Sequence, residues 1–233
     1  MIVAPRFVFL HLHKSGGTFV NDCLLRLVPG ARAAGYHLPH AMIPPESRDR
    51  PVLGFVRNPW SYYVSWFAFQ SAMRQPNALY QVLSDDGRLG FAGTIANMVA
   101  LSQDPARLAR VVAALPAQYT GRGLNVPGFV MARIADMPWP TGFYSFLFDY
   151  MFDAQAEGRL IGRMESLREQ LPQMLESVGE PVTAALRAHL ATSPPTNVSV
   201  HGDYRRYYAD DVRNLVARHD ALLIERFGYR FGD

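Results

Sequence analysis

The hydrophobic pattern near the start of the chain predicts a strand, a glycine loop and a helix in direct succession. Arg6 to His13 is almost continuously apolar and rich in β-branched and aromatic residues, which is typical of a strand buried on both faces. Lys14 to Gly17 then interrupts the apolar run. From Thr18 onwards, apolar residues recur at helical spacing, so we predict a helix with Thr18 as its N-cap and Pro29-Gly30 as its stop.

The same arrangement of strand and helix recurs further along the chain. Pro51 to Arg57 predicts a second buried strand, and Asn58 and Pro59 supply the N-cap and first residue of a helix that runs to about Met73. Between the two units, Gly35 to Pro45 contains two histidines and three prolines. Because proline disfavours helix at its own position and the one before, this segment is predicted to be a short strand or a loop.

The remainder of the chain is predicted to alternate helices, one strand and loops. The predicted elements are helices at Asn77 to Leu101, with polar breaks around 85–88, and at Pro105 to Leu115; an irregular loop at Gly121 to Gly142; a helical aromatic segment at Phe143 to Phe152; a strand at Arg159 to Arg163; helices at Glu165 to Val178 and Pro181 to Ala191; a loop at Ser193 to Tyr204; and a last helix from about Ala209 to Gly228. This order predicts an α/β fold with a central parallel sheet covered by helices.

Composition narrows the class of protein. With 233 residues and 49% hydrophobic content, the chain is expected to form a single domain over residues 1–233. The net charge of +3 is not gathered into a basic tract, so we expect no nucleic-acid partner. The single cysteine, Cys23, cannot form an internal disulfide, and no apolar run is long enough to span a membrane. We therefore expect a cytoplasmic protein.

The loop between the first strand and helix has the chemistry of an anion site. Unpaired N–H groups at a helix N-terminus attract an anion, glycine allows close approach to the backbone, and Lys14 adds a full charge. In the nucleoside-triphosphate loop, G-x-x-x-x-G-K-[ST], the lysine follows the glycines, whereas Lys14 precedes Gly16 and Gly17. This order argues against an ordinary ATPase or kinase.

Two segments carry recognisable motifs: His11 to Thr18 reads H-L-H-K-S-G-G-T, and Arg57 to Trp60 reads R-N-P-W, with Ser65 eight residues beyond Arg57. Both resemble motifs of the sulfotransferases that use 3′-phosphoadenosine 5′-phosphosulfate (PAPS), particularly the carbohydrate-type branch and its bacterial relatives. The first is similar to their 5′-phosphosulfate loop, H-x-P-K-[ST]-G-G-T, with His13 in place of proline, and the second is similar to their 3′-phosphate motif.

The resemblance continues in the second half of the chain. Ile161 to Leu167 is similar to the G-R-x-E-x-L segment of the family, and the C-terminal matches are Asn197, Ser199, Tyr204, Tyr207-Tyr208 and Phe227 to Tyr229. Ala72 to Arg133 matches least, and we expect acceptor specificity to reside there. The fold that the resemblance implies is a P-loop-like three-layer α/β sandwich.

The resemblance also implies residue roles. The residues implied to bind the 5′-phosphosulfate are Lys14, Ser15, Gly16, Gly17 and Thr18, and those implied at the 3′-phosphate are Arg57, Ser65 and either Arg205 or Arg206. Phe19 is also expected to contact the donor. Lys14 would stabilise the charge that develops on the leaving phosphate. PAPS is the expected co-substrate and 3′-phosphoadenosine 5′-phosphate (PAP) the product. Because no metal-ligand motif accompanies these loops, we expect no catalytic metal.

A histidine is the expected general base for the acceptor, because its pKa lies near neutral pH. The segment that carries the base in this family corresponds to Tyr36 to His40, so His37 and His40 are both candidates. The stretch from His37 to Pro44 resembles the H-x-P-x-x-x-x-P pattern of bacterial relatives and favours His37. His11 is expected to face the core.

These roles predict transfer of a sulfuryl group from PAPS to a hydroxyl or amine acceptor. A glycan or glycolipid acceptor is expected only by analogy with the carbohydrate-type branch. Two alternatives share the same loop: an NTP-dependent phosphoryl transferase and a non-catalytic nucleotide-binding protein. The aromatic residues around Trp60 to Phe69 and Phe143 to Phe152 are expected to be core rather than a platform for nucleic-acid bases.

Overall fold

A computed structural model describes residues 1–153, 155–196 and 199–233. The chain divides into two compact units. Unit 1 comprises Met1–Arg57 and Phe148–Val198, and unit 2 comprises Asn58–Leu147 and Ser199–Asp233. Each unit is described by itself.

The sheet belongs to unit 1. Its strands are β1 (Ile2–Val3), β2 (Val8–Phe9), β3 (Arg32–Ala33), β4 (Val52–Val56) and β5 (Arg159–Arg163), in the spatial order β3-β1-β2-β4-β5. Strands β2, β4 and β5 are parallel, and this part confirms the predicted parallel sheet. Strands β1 and β3 extend it in antiparallel pairing. Neither was predicted, whereas β2, which is equally short, lies within the strand predicted at Arg6 to His13.

The helices cover most of the predicted helical segments. They are α1 (Gly17–Leu27), α2 (Pro59–Ser71), α3 (Ala78–Leu83), α4 (Phe91–Val99), α5 (Pro105–Ala114), α6 (Gly128–Ala132), α7 (Phe143–Phe152), α8 (Leu167–Ser177), α9 (Ala184–Thr192), α10 (Asp210–His219) and α11 (Ala221–Phe227). Short 3-10 turns at His40–Met42 and Pro45–Ser47 lie in the proline-bearing segment, where a strand or loop was predicted.

Helices contact both faces of the sheet in unit 1. On one face, Leu53 and Phe55 of β4 belong to a buried cluster with apolar residues of α1, α8 and α9. On the other face, Gly54 lies against the ring of Phe152 at the end of α7, where an added Cβ would approach the ring to 2.2 Å. Alternate residues of a strand point to opposite faces. The predicted α/β fold with a helix-covered central sheet is therefore confirmed.

In unit 2, helix α2 begins as predicted. The side chain of Asn58 accepts hydrogen bonds from the N–H groups of Trp60 at 3.1 Å and Ser61 at 3.4 Å, and Pro59 occupies the first helical position. Since the first N–H groups of a helix have no partner within the helix, this cap stabilises the start of α2. Trp60 is buried with Tyr62 and other aromatic residues of this helix, as predicted.

The predicted last helix is interrupted at Asp220, which separates α10 from α11. The fully buried carboxylate of Asp220 accepts a hydrogen bond from the hydroxyl of Tyr63 at 2.7 Å and from the backbone N–H and hydroxyl of Ser145 at 2.9 and 2.7 Å. A Cβ at Gly142 would lie 2.6 Å from this carboxylate. These contacts join α2, α7 and the C-terminal helices around one buried acid.

Within the described ranges, no helix is both long enough and apolar enough to cross a membrane.

Candidate anion-binding site

The loop between β2 and α1 has the alternating backbone that is typical of an anion-binding nest. The φ angle is +56° at Lys14 and +78° at Gly16, whereas Ser15 and Gly17 do not share this left-handed conformation. Alternation of this kind points successive N–H groups into one concavity, where an anion can accept from them. The predicted N-cap was wrong: α1 begins at Gly17 with Gly16 as N-cap, and Thr18 lies exposed in the first turn. A left-handed N-cap requires glycine here, so a side-chain cap is not used.

Packing alone already requires both glycines. A Cβ at Gly17 would lie 1.9 Å from Cδ2 of the His11 ring, and a Cβ at Gly16 would lie 2.8 Å from Cδ1 of Leu167. The loop is thus wedged between the end of β2 and the start of α8. This close packing fixes the backbone that would receive the anion.

Lys14 is the only lysine in the chain, and a second cation lies beside it. The guanidinium of Arg57, which follows β4, donates a hydrogen bond from its Nη1 atom to the backbone carbonyl of Lys14 at 3.4 Å. Burial and the charge of Arg57 both lower the pKa of Lys14, to about 8. Two cations held together in this way favour an anionic ligand.

The other predicted loop residues take different positions. Ser15 is buried, and its hydroxyl donates to the carbonyl of His13 at 3.2 Å. Phe19 is buried beneath Arg168, whose guanidinium carbon lies 4.9 Å from the centre of the ring. The N–H of Phe19 donates to Gly16 at 3.1 Å and so closes the first turn of α1. Because this N–H already donates to Gly16, it does not point at a donor phosphate as an unpaired group would. The role of Phe19 in donor binding stays a prediction.

His37 lies directly against the end of β2, with its backbone in the left-handed region at φ +45°. The Nδ1 atom of His37 lies 2.6 Å from the carbonyl oxygen of His11. A carbonyl only accepts hydrogen bonds, so Nδ1 carries the proton and Nε2 is the basic nitrogen of the ring. Burial, then His13, then the ring of His11 hold the pKa of His37 well below its usual value, and the ring is neutral at pH 7.

His13 connects His37 to the anion loop. The rings of His13 and His37 stack with their centroids 3.8 Å apart and their planes within 16°. His13 directly precedes Lys14, so the favoured base candidate and the loop are neighbours although they lie far apart in sequence. In the sequence, His13 stood out only as the residue that replaces proline in the resembled loop. The signal that could have revealed it is the spacing of His11 and His13, which places both on one side of an extended chain.

His40 has different neighbours. Its Nε2 atom lies 2.8 Å from Nη2 of Arg159, which must donate, and its Nδ1 atom lies 3.8 Å from the carboxylate of Asp153. Burial and Arg159 lower the pKa of His40, against an opposing effect of Asp153. Because the lone pair of Nε2 already accepts from a guanidinium, His40 is the weaker candidate for a base.

Ser65 lies within unit 2, on helix α2. It is buried, and its hydroxyl lies 2.7 Å from the hydroxyl of Ser199. The structure therefore brings together a serine of the second motif and a serine of the C-terminal motif. Asn197, the other member of that C-terminal pair, lies outside the described residues.

The second motif is anchored by the C-terminal segment of unit 2. The side chain of Asn58 donates to the carbonyl of Arg230 at 2.9 Å, and the hydroxyl of Tyr208 donates to the carbonyl of Trp60 at 2.8 Å. The indole N–H of Trp60 donates to the carbonyl of Arg213 at 3.0 Å. These hydrogen bonds hold the residues of the second motif against the C-terminal segment, which carries the other matching residues of unit 2.

Arg205 is exposed and paired within its own turn. Its Nε atom donates to both carboxylate oxygens of Asp203 at 2.9 Å, and its Nη2 atom lies 2.7 Å from the same carboxylate. The hydrogen bonds from Arg205 lower the pKa of Asp203 to about 2. A phosphate would have to compete with Asp203 for this guanidinium. The charge of Arg206 also lowers the pKa of Asp203, so the choice between the two arginines stays open.

In the part of the chain that the structure describes, no group of three or more His, Cys, Asp or Glu side chains is arranged to hold a metal ion.

Comparison with known proteins assigns no family. No protein-family model matches the chain, and no curated protein matches it in sequence. Among solved structures, the chain is similar to mouse sulfotransferase SULT7A1 complexed with PAP, with a TM-score of 0.45 and 14% sequence identity over 94% of this chain and 83% of the mouse chain. These values are too low to transfer an activity.

Proposed function

We propose that the chain is a sulfotransferase that moves a sulfuryl group from PAPS to a hydroxyl or amine acceptor. The observation that carries the proposal is the alternating backbone of Lys14 to Gly17, with Lys14 held beside Arg57. The resemblance of the two loop motifs to those of PAPS-dependent enzymes selects this donor among anionic ligands. A glycan or glycolipid acceptor is the class that follows from the branch resembled.

The loop would receive the 5′-phosphosulfate. During transfer, the bond between sulfur and the bridging oxygen breaks while a bond between sulfur and the acceptor oxygen forms, and negative charge grows on the leaving phosphate. Preorganised N–H donors and the ammonium of Lys14 stabilise that charge without reorganising. PAP then leaves with the electron pair of the broken bond.

His37 would take the acceptor proton on Nε2. The hydrogen bond from Nδ1 to the carbonyl of His11 leaves Nε2 as the basic atom. The free ring has a low pKa, but an anionic donor bound at the neighbouring loop would stabilise the protonated form and raise that pKa. His40, which accepts from Arg159 instead, is the second candidate.

Arg57 and Ser65 would contact the 3′-phosphate, with Arg205 or Arg206 as a further contact. An arginine gives charge-assisted hydrogen bonds to phosphate, and a serine hydroxyl gives a neutral one. These assignments come from the motif that Arg57 and Ser65 form in sequence.

Thermal-shift titration separates the donor classes. We expect PAP to raise the melting temperature without a metal, because the loop recognises phosphate through N–H groups and Lys14. Stabilisation by ATP with magnesium, together with none by PAP, would instead support a phosphoryl transferase. Donor binding without sulfate transfer to any offered glycan, glycolipid or small alcohol would support a non-catalytic nucleotide-binding protein.

Single substitutions test the roles of the loop and the base. We expect Lys14→Ala to abolish sulfate transfer from labelled PAPS, because the leaving-group charge is then not neutralised. His37→Ala should lower kcat by about 100-fold or more with donor affinity unchanged, as for loss of a general base. His40→Ala is the matched control, and a larger loss of kcat in this variant would reassign the base to His40.

A further inference from the structure

Three imidazole rings lie against one another at the carboxyl end of β2. The ring of His37 is stacked on that of His13, at 3.8 Å between centroids, and lies 4.1 Å from that of His11 at an angle of 49°. All three histidines are buried. Neighbouring imidazoles disfavour each other's protonation, so three buried histidines in contact are an unusual choice of core residues.

The two rings that flank His37, those of His11 and His13, have different surroundings. His11 is fixed against Gly17, and its Nδ1 atom lies 3.1 Å from the side-chain nitrogen of Asn21. Burial lowers its pKa to about 3, with a smaller effect of His13, so His11 is a neutral packing residue. The ring of His13, by contrast, is stacked on that of His37, and Lys14 is the next residue in the chain.

We propose that His13 is a positioning residue: its ring, stacked on His37, holds the plane of the base, and its place next to Lys14 joins that base to the anion loop. This inference rests on the role of His37 in the proposed function. It assigns a purpose to the histidine that stands where the resembled loop has proline.

Among the described residues, a small set of groups faces His37 or acts on its charge. They are the rings of His11 and His13, the phenol of Tyr36 at 4.2 Å in an edge-to-face contact, and the amino group of Met1, which donates to the carbonyl of Gly35 at 2.6 Å. Among these, His13 exerts the larger charge effect and lowers the pKa of His37. Replacing His13 with a ring that cannot be protonated should therefore raise the pKa of His37.

The first experiment is NMR titration of the full chain with ¹⁵N-labelled histidine, which needs no substrate. In the wild type, we expect His37 to carry its proton on Nδ1. His13→Phe keeps a flat ring, so the tautomer should persist while the pKa of His37 rises. His13→Ala removes the stack, so the ring should sample both tautomers. His201→Phe changes a histidine of unit 2 and should leave the His37 signals unchanged.

The second experiment is steady-state kinetics of sulfate transfer with the same variants. His13→Ala should lower kcat by about tenfold with KM for PAPS unchanged, since misplacing a reacting group by about 1 Å can cost up to about 100-fold. His13→Phe should recover most of kcat and shift the acid limb of the kcat profile to higher pH. A purely structural role would lower stability without moving this limb.

The outcomes separate the two proposals. If the tautomer and pKa of His37 are the same in both folded His13 variants as in the wild type, His13 does not position His37. If the NMR changes occur but no acceptor is sulfated by the wild type, the positioning role stands and the proposed function fails. If His13→Ala does not fold, His13→Leu, which fills a similar volume without a flat ring, takes its place, and an unchanged tautomer of His37 in that variant overturns the inference.

Discussion

The guanidinium of Arg57 donates a hydrogen bond to the backbone carbonyl of Lys14 at 3.4 Å. Arg57 follows β4 and Lys14 follows β2, and these strands are parallel neighbours. The carboxyl ends of parallel strands meet at one edge of a sheet, which is where ligands of open α/β sheets bind. The contact therefore places one residue from each motif together at the edge where a donor phosphate would bind.

The charge of Lys14 should control anion affinity at alkaline pH. In the free protein its pKa is about 8, and a bound anion raises this pKa, so binding takes up a proton above pH 8. We expect the Kd of PAP to increase by up to about tenfold per pH unit above pH 8, and to change much less with pH just below pH 7. Isothermal titration calorimetry from pH 6.5 to 9.5 measures this.

Lys14→Arg is the matched control for that prediction. An arginine stays charged throughout this pH range, so the dependence of Kd on pH should disappear even if affinity is lower. An equally steep dependence in Lys14→Arg would show that a group other than Lys14 titrates.

Substitution of Gly17 should test packing apart from ligand binding. Because a Cβ at this position would lie 1.9 Å from the His11 ring, Gly17→Ala should lower the free energy of unfolding by about 1–3 kcal/mol. Gly202→Ala is the control, since within the described residues, chain neighbours aside, an added Cβ there would meet nothing within 4 Å. Denaturant unfolding measures both. If Gly17→Ala keeps full stability but loses PAP binding, then ligand approach alone requires this glycine.

The sequence predicts the elements around the anion loop better than it predicts the contacts made there. The N-cap of α2 at Asn58 and the exact limits of α7, Phe143–Phe152, follow from local chemistry and pattern. The stack of His13 on His37 and the break at Asp220 depend on contacts between distant segments. A local pattern cannot show that a carboxylate will be buried under Tyr63, so the helix was predicted to continue.

The hydroxyl of Ser65 should contribute to recognition of a 3′-phosphate. It is buried, 2.7 Å from the hydroxyl of Ser199. Ser65→Ala should weaken PAP binding by about tenfold or more, as expected for loss of a hydrogen bond to a charged group, and leave adenosine 5′-phosphate binding unchanged. Ser71→Ala, at the exposed end of the same helix, should affect neither ligand. Equal loss for both nucleotides in Ser65→Ala would assign Ser65 to the stability of unit 2.

Asp220 should make the stability of the chain depend on pH in the mildly acidic range. Burial raises its pKa from 3.8 to about 6, against hydrogen bonds from Tyr63 and Ser145 that lower it. Since the folded pKa is above the unfolded one, folding favours the protonated acid. Its stabilising effect is complete below pH 3.8 and is lost as the pH rises through about 6. The difference between the two values corresponds to roughly 3 kcal/mol.

Asp220→Asn isolates this contribution, because the amide is close in shape and does not titrate. We expect the free energy of unfolding of the wild type, minus that of Asp220→Asn, to fall by roughly 3 kcal/mol between pH 3 and pH 7. Urea unfolding of both proteins at half-unit pH steps measures this difference, and the contributions of the titrating groups that the two proteins share cancel in it. A difference that stays constant with pH would mean that Asp220 is ionised in the folded state throughout this range, stabilised by the hydroxyls of Tyr63 and Ser145 more strongly than burial disfavours its charge.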